Sequence, residues 1–137
     1  MKIRVIGIIG VLLVILVACQ SEDVLEFNRY YTSGKVIYQS KCQNCHGDKG
    51  EGLSALMPPL TDSIYLKTNL HKLPCIVKYG LNDPITVNRK AFYNKMPLTD
   101  LAPVEIAEVL TYVNNSFGNK TGVVTTAMVE GDLKGCK

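Results

Sequence analysis

What this sequence lacks narrows its role before any motif is read. Its longest apolar run, the fourteen residues from Val5 to Ala18, would make a helix of only about 21 Å, short of the roughly 30 Å hydrocarbon layer of a bilayer. A membrane-spanning segment is therefore the weaker reading of that run. Strong charge is also missing: the formal net charge is +3, and without Lys2 and Arg4 thirteen basic residues face twelve acidic ones. With no recognised nucleic-acid motif beside so small an excess, nucleic acid is not an expected partner. Histidine occurs only at His46 and His71. Alternation of strands and helices in a βαβ pattern is not visible. At 137 residues the chain has room for one ordinary domain and not for two.

What is present begins with a leader. Lys2 and Arg4 precede the apolar run, and small residues close it at Cys19, the plan of a secretory signal. Leu16-Val17-Ala18-Cys19 resembles the lipobox of bacterial lipoproteins. That resemblance implies a signal over residues 1–18 and a lipidated N-terminus at Cys19. The protein would then be exported and anchored to a bacterial membrane, on the periplasmic side or at the cell surface, by enough acyl chains for stable attachment. A buried Cys19 ending an ordinary signal peptide or anchor helix is the alternative. Residues 19–28, with Glu22, Asp23 and Glu26, read as the lipidated end and a short solvated tether.

Charge is unevenly spread along the remainder. Between residues 29 and 95 ten Lys or Arg stand against four acids. A basic face of this kind would steer a protein toward an acidic docking face on a partner. A solvated surface without special purpose explains the same charges.

Five cysteines in an exported chain need an accounting, because the number is odd. Cys19 is assigned to lipid, and Cys42 and Cys45 belong to the segment Cys42-Gln43-Asn44-Cys45-His46. Cys75 and Cys136 remain and are expected to form a disulfide in a compartment that permits one; two free thiols are the alternative. Closing a loop of about 62 residues would stabilise the fold by roughly 4 kcal/mol in the chain-entropy model. The Cys-x-x-Cys-His segment presents two thiols to the two vinyl groups of a haem and an imidazole to its iron from one short turn. A thioredoxin-like pair would expect a βαβ context. Structural zinc would normally need a second closely spaced pair of ligands. Neither is visible, so one covalently attached haem c is the expected cofactor.

The surroundings of the motif extend the reading. Tyr31, Gly34, Tyr38 and Cys42 share one helical face, and Ile106, Val109, Leu110 and Val113 repeat at helical spacing. Pro103 and Glu105 suit the start of that second helix, and Gly118 lies just beyond its end. This pattern resembles the small class I cytochromes c. The resemblance implies an all-α cytochrome c fold over residues 29–118, in which N- and C-terminal helices cross around a covalently bound haem. Loops would join them, with a small hairpin in which Ile85-Thr86-Val87 and Ala91-Phe92-Tyr93 flank Asn88-Arg89-Lys90. Gly34 and Tyr112 would meet at the crossing. Residues 119–137 would be a tail pinned by the disulfide. The stretch from Ile64 to Tyr79 is helical in composition, interrupted by Pro74 and stopped at Gly80.

The same resemblance assigns the site. Cys42 and Cys45 would form the thioethers, His46 would be the proximal ligand, and the carbonyl of Pro58 would accept its imidazole proton. Met96, followed by Pro97, would be the distal ligand; Met57 and His71 are its rivals, the first more at home in the core and the second on a mixed helix. Tyr93, Arg89 and Lys90 are candidate contacts for the propionates, with a solvated loop as the alternative. Leu53, Leu56, Leu60, Ile76 and Leu98 are candidate walls of the pocket. The implied role is one-electron transfer between respiratory redox partners, with no small-molecule substrate. The alternatives are a haem-bearing subunit of a larger oxidoreductase, or a ligand-binding or sensor protein if Met96 does not hold the iron.

Overall fold

The computed structural model describes residues 22–136. The expected signal and Cys19 lie outside the described residues. In chain order the elements are α1 (Glu22–Lys41), α2 (Gln43–His46), α3 (Ser63–Thr68), α4 (Leu73–Tyr79), β1 (Ile85–Val87), β2 (Lys90–Phe92), α5 (Pro103–Val113) and α6 (Thr126–Leu133). None of the described helices is both long and apolar enough to cross a membrane.

The crossing of α1 and α5 is the frame on which the rest is hung. α1 carries acids in its first turn and Lys41 in its last, each placed to favour the helix dipole. In α5, Pro103 occupies the first turn, where its missing N–H costs nothing, and the Glu105 carboxylate accepts the Ala102 N–H at 2.7 Å. Ile106, Val109, Leu110 and Val113 are all buried, as their spacing predicts. At Gly34 a Cβ would run into the Glu108 carbonyl and come within 3.0 Å of the Tyr112 Cβ, so only glycine permits this approach. Tyr112 stands at the crossing as expected, but the tightest neighbour is the α5 backbone. Around it the rings of Tyr31, Tyr38, Tyr112 and Phe117 pack at centroid distances of 5.1–5.7 Å, a spacing that favours tilted aromatic pairs.

Two stretches expected to be irregular are helical. Residues 22–28, assigned to the tether, form the first turns of α1. Phe27 stacks on Tyr31, one turn on, at 5.6 Å. The presumed C-terminal tail contains α6, whose N-cap Thr125 accepts the Met128 N–H at 3.2 Å and whose Val129 is fully buried. The loop leading to α6 is folded by Asn115. Its amide donates to the Thr111 and Gly122 carbonyls at 2.7 Å each and accepts from the Thr121 and Gly122 N–H groups. Cys75 of α4 and Cys136 beyond α6 form the expected disulfide, with their Cα atoms 5.6 Å apart.

The segment from Ile64 to Tyr79 divides into α3 and α4. Asp62 caps α3 by accepting the Ile64 and Tyr65 N–H groups at 3.0 and 3.1 Å. Pro74 sits in the first turn of α4, where it starts a helix more readily than it interrupts one. The hairpin is antiparallel, with Ile85 opposite Phe92, Thr86 opposite Ala91 and Val87 opposite Lys90. Its second strand therefore begins one residue earlier than expected, leaving a two-residue turn. Asn88 and Arg89 there both have positive φ, 50° and 61°, as a type I′ turn requires.

Candidate functional site

The end of α1 delivers the Cys-x-x-Cys-His segment as one compact turn. The Cys42 N–H bonds back to the Tyr38 carbonyl at 2.9 Å, and the Cys45 and His46 N–H groups both bond to the Cys42 carbonyl at 3.1 and 3.0 Å. Tyr38, fully buried at the crossing, donates its hydroxyl to the Gly47 carbonyl at 2.6 Å. Placement of the motif is thus tied to the core of the fold. Cys42 is half-buried and Cys45 exposed. Burial, and after it the neighbouring Cys45, pushes the Cys42 thiol up to about 11.

His46 is buried, and its Nδ1 lies 3.1 Å from the Pro58 carbonyl oxygen. A carbonyl can only accept, so Nδ1 carries the proton and Nε2 keeps a free lone pair. Burial lowers the pKa of this imidazole and outweighs the opposing effect of the bond to Pro58, which leaves a neutral ring suited to metal ligation. Pro58 is fixed in turn by the loop that carries it. The Gly52 N–H bonds to the His46 carbonyl at 2.8 Å, and Leu53 and Met57 pair as an isolated bridge. Asn119 reaches from beyond α5 to donate to the Leu60 carbonyl at 2.8 Å.

His46, Cys42, Cys45 and Met96 line one cleft, walled chiefly by apolar side chains from α3, α4, the hairpin and α5. Met96 enters it from a segment built on the end of α4. Leu81 and Met96 exchange both backbone hydrogen bonds at 2.9 Å. The Thr99 hydroxyl donates to the Val77 carbonyl at 2.8 Å, and the Lys78 ammonium donates to the Leu101 carbonyl at 2.7 Å.

Of the expected pocket residues, Leu60 and Ile76 line the cleft. Leu53, Leu56 and Leu98 do not; they are 53, 50 and 71% exposed. Neither Arg89 nor Tyr93, the candidate contacts for the propionates, is among the residues that line it. Phe92, the last residue of β2, is buried in the cleft wall, and Tyr93 just beyond it is 73% exposed. Arg89 occupies the hairpin tip. The Lys90 ammonium is likewise turned away, donating to the Ser54 carbonyl at 3.0 Å.

The rivals of Met96 separate cleanly. The His71 side chain is 72% exposed, its Nδ1 lies 3.1 Å from an Asp132 carboxylate oxygen, and it has no place in the cleft. Met57 does line the cleft, but it is joined directly to Pro58 on the loop that holds His46. Sequence reasoning missed Lys41, Asn94 and Lys95 on the polar part of the lining, and Leu66, Val87 and Leu110 among the walls. Of these, Leu110 was legible as a buried helix position. Leu66 of α3, Val87 of β1 and Lys41 at the end of α1 depend on how those elements are placed, and Asn94 and Lys95 on how their loop folds.

The residues present fit a covalently held haem. Two thiols and one imidazole converge at a single turn, a thioether joins them in the cleft, and the walls are apolar. Among the described residues no three His, Cys, Asp or Glu side chains gather closely enough to hold a bare metal ion. That donor set suits an iron whose remaining ligands come with a macrocycle. Comparison with known proteins agrees: a family model described as Cytochrome c matches residues 31–116. No curated protein matches the chain.

Proposed function

As this chain belongs to the cytochrome c family, we propose that it is a membrane-tethered one-electron shuttle whose haem iron is ligated by His46 and Met96. Haem-based electron transfer is the family's chemistry, and one haem c is held covalently through the Cys-x-x-Cys-His motif of Cys42 to His46. The observation that supports the axial pair is the meeting of His46 and Met96 in one apolar cleft from separately anchored segments.

The haem supplies a one-electron couple; the protein sets the conditions under which it works. Pro58 fixes the tautomer and orientation of His46. A thioether from Met96 favours the ferrous state and so raises the potential. Apolar walls exclude water. Among the described residues no carboxylate lines the cleft, which leaves little means for acid–base catalysis and favours a carrier over an independent enzyme. Lys41 and Lys95 beside the cleft suit an acidic redox partner. The tether is assigned to lipid on Cys19.

The test is a spectrum of the reduced protein with carbon monoxide added. An unchanged six-coordinate spectrum, with a Met-to-iron charge-transfer band in the oxidised form, is expected; rapid binding by the unaltered protein would overturn the shuttle and favour a ligand-binding role. Met96→Ala should lose the band and bind carbon monoxide, whereas Met57→Ala should keep the band. Survival of the band in Met96→Ala would remove Met96 from the iron.

A further inference from the structure

We propose that the first two turns of α1 form the bilayer-facing pole of the protein, with α1 a rigid arm that holds the haem segment at its far end. The inference rests on the lipid-anchor reading of Cys19. Its starting point is the helix found where a tether was expected: α1 is continuous from Glu22 to Lys41. Only Gln20 and Ser21 separate Glu22 from Cys19, and three residue steps reach at most about 10 Å even fully extended. An acyl anchor at Cys19 therefore delivers the start of α1 to the lipid surface.

The arm cannot swivel within the protein. Tyr30 shares a hydrogen bond with Thr126 of α6 at 2.9 Å, Tyr31 shares one with Ser116 at 3.0 Å, and Gly34 is pressed against the α5 backbone. Cys42, the first haem-bearing residue, follows Lys41 directly. Twenty residues of helix separate the two ends by about 30 Å. A nine-residue coil would have let the haem segment wander over the membrane; this helix gives it a fixed distance from the anchor.

The pole itself suits a lipid surface without entering it. Val24 and Leu25 are 48 and 53% exposed. Glu22, Asp23 and Glu26 flank them, and their carboxylates keep this end at the headgroups rather than within the hydrocarbon. The consequence concerns the partner. A haem segment held at the end of the arm remote from the lipid meets a redox domain that projects from the bilayer or moves free of it, and not a site buried in the membrane.

The test uses the full lipidated, haem-loaded protein in its reduced form, bound to lipid nanodiscs that contain a gadolinium-chelate headgroup. Val36 lies eleven positions beyond Leu25, about 16 Å farther along the helix axis. Paramagnetic broadening of the Val24 and Leu25 amide signals should therefore exceed that at Val36 and Gln43 by roughly tenfold or more. Inserting a six-residue Gly-Ser segment between Ser21 and Glu22 should abolish the gradient while the protein remains on the disc. Equal broadening along α1 in the unaltered, disc-bound protein would overturn the pole and leave the lipid anchor standing. A protein that carries no acyl chain by mass and fails to bind the discs would overturn the anchor reading and the pole with it.

Discussion

The two methionine-proline segments that line the cleft are seated in the same way, yet they close loops of very different size. On one side Gly52 and Leu53 receive Met57 and Pro58; on the other Gly80 and Leu81 receive Met96 and Pro97. Each pair forms an isolated bridge, Leu53 with Met57 and Leu81 with Met96. Each glycine has positive φ, 71° and 78°, and a Cβ on either would strike the carbonyl of the methionine it faces. The first bridge spans four positions and the second fifteen, a difference worth roughly 1 kcal/mol of closure entropy. The shorter loop turns a carbonyl onto His46 and follows closely from the local chain. The longer one presents Met96 and needs the added ties from Thr99 to Val77 and from Lys78 to Leu101. One side of the site is thus set locally, and the other by the placement of α4.

The largest test of this contrast pairs Gly52→Ala with Gly80→Ala. Both force a side chain into the left-handed region against a carbonyl, and each should cost about 2 kcal/mol or more of stability, read from denaturant midpoints. Their spectra should diverge. Gly80→Ala displaces the Met96 backbone and should weaken the Met-to-iron band and admit carbon monoxide. Gly52→Ala should lose stability while keeping the band. Retention of full wild-type ligation by Gly80→Ala would show that the longer loop does not depend on this seat.

A smaller effect is expected where the two sides are joined. Asp62 caps α3 with one carboxylate oxygen and accepts the Asn88 N–H of the hairpin with the other, at 3.1 Å. The Tyr65 N–H bond, aided by weaker contributions from Asn88 and Ile64, holds its carboxyl below the usual carboxylate range, against an opposing effect of burial that is second in size. A depressed folded-state pKa gives stability that is present above the unfolded value of about 3.9 and is lost as pH falls through the folded value. Asp62→Ala should therefore cost about 1 kcal/mol at neutral pH, with the gap from wild type closing below about pH 4. A gap unchanged between pH 7 and pH 3 would show that the ionised carboxylate is not what joins the two sides.

The same contrast explains what the sequence disclosed. Cys42 to His46 was legible because its geometry is complete within five residues, and the helix crossing because Gly34, Tyr38 and Tyr112 combine periodicity with one close approach. Pro58 and Met96 were placed through family resemblance, and the structure brings both to the cleft. Leu53, Leu56 and Leu98 misled because apolar character does not fix direction on a loop, where no period of 2 or 3.6 assigns a face. Helix α6 was overlooked because residues 119–137 were read as a tail, although Thr125 is a good N-cap and Val129 and Leu133 fall at helical spacing. The start of α1 was read as tether from its acids, which in fact suit a helix N-terminus.

Arg89 provides the smallest and most discriminating test. It sits at the second turn position with φ of 61°, where a side chain is disfavoured by roughly 1–2 kcal/mol. Glycine relieves that strain but adds freedom to the unfolded chain, so Arg89→Gly should stabilise the protein by only about 0.5 kcal/mol. Because Arg89 does not line the cleft, the reduction potential and the Met-to-iron band should stay unchanged. A clear shift of the potential without loss of the band would show that the guanidinium acts on a haem propionate after all. The hairpin tip would then belong to the longer, Met96-bearing side of the site, and the division between a locally built half and an assembled half would have to be redrawn to include it.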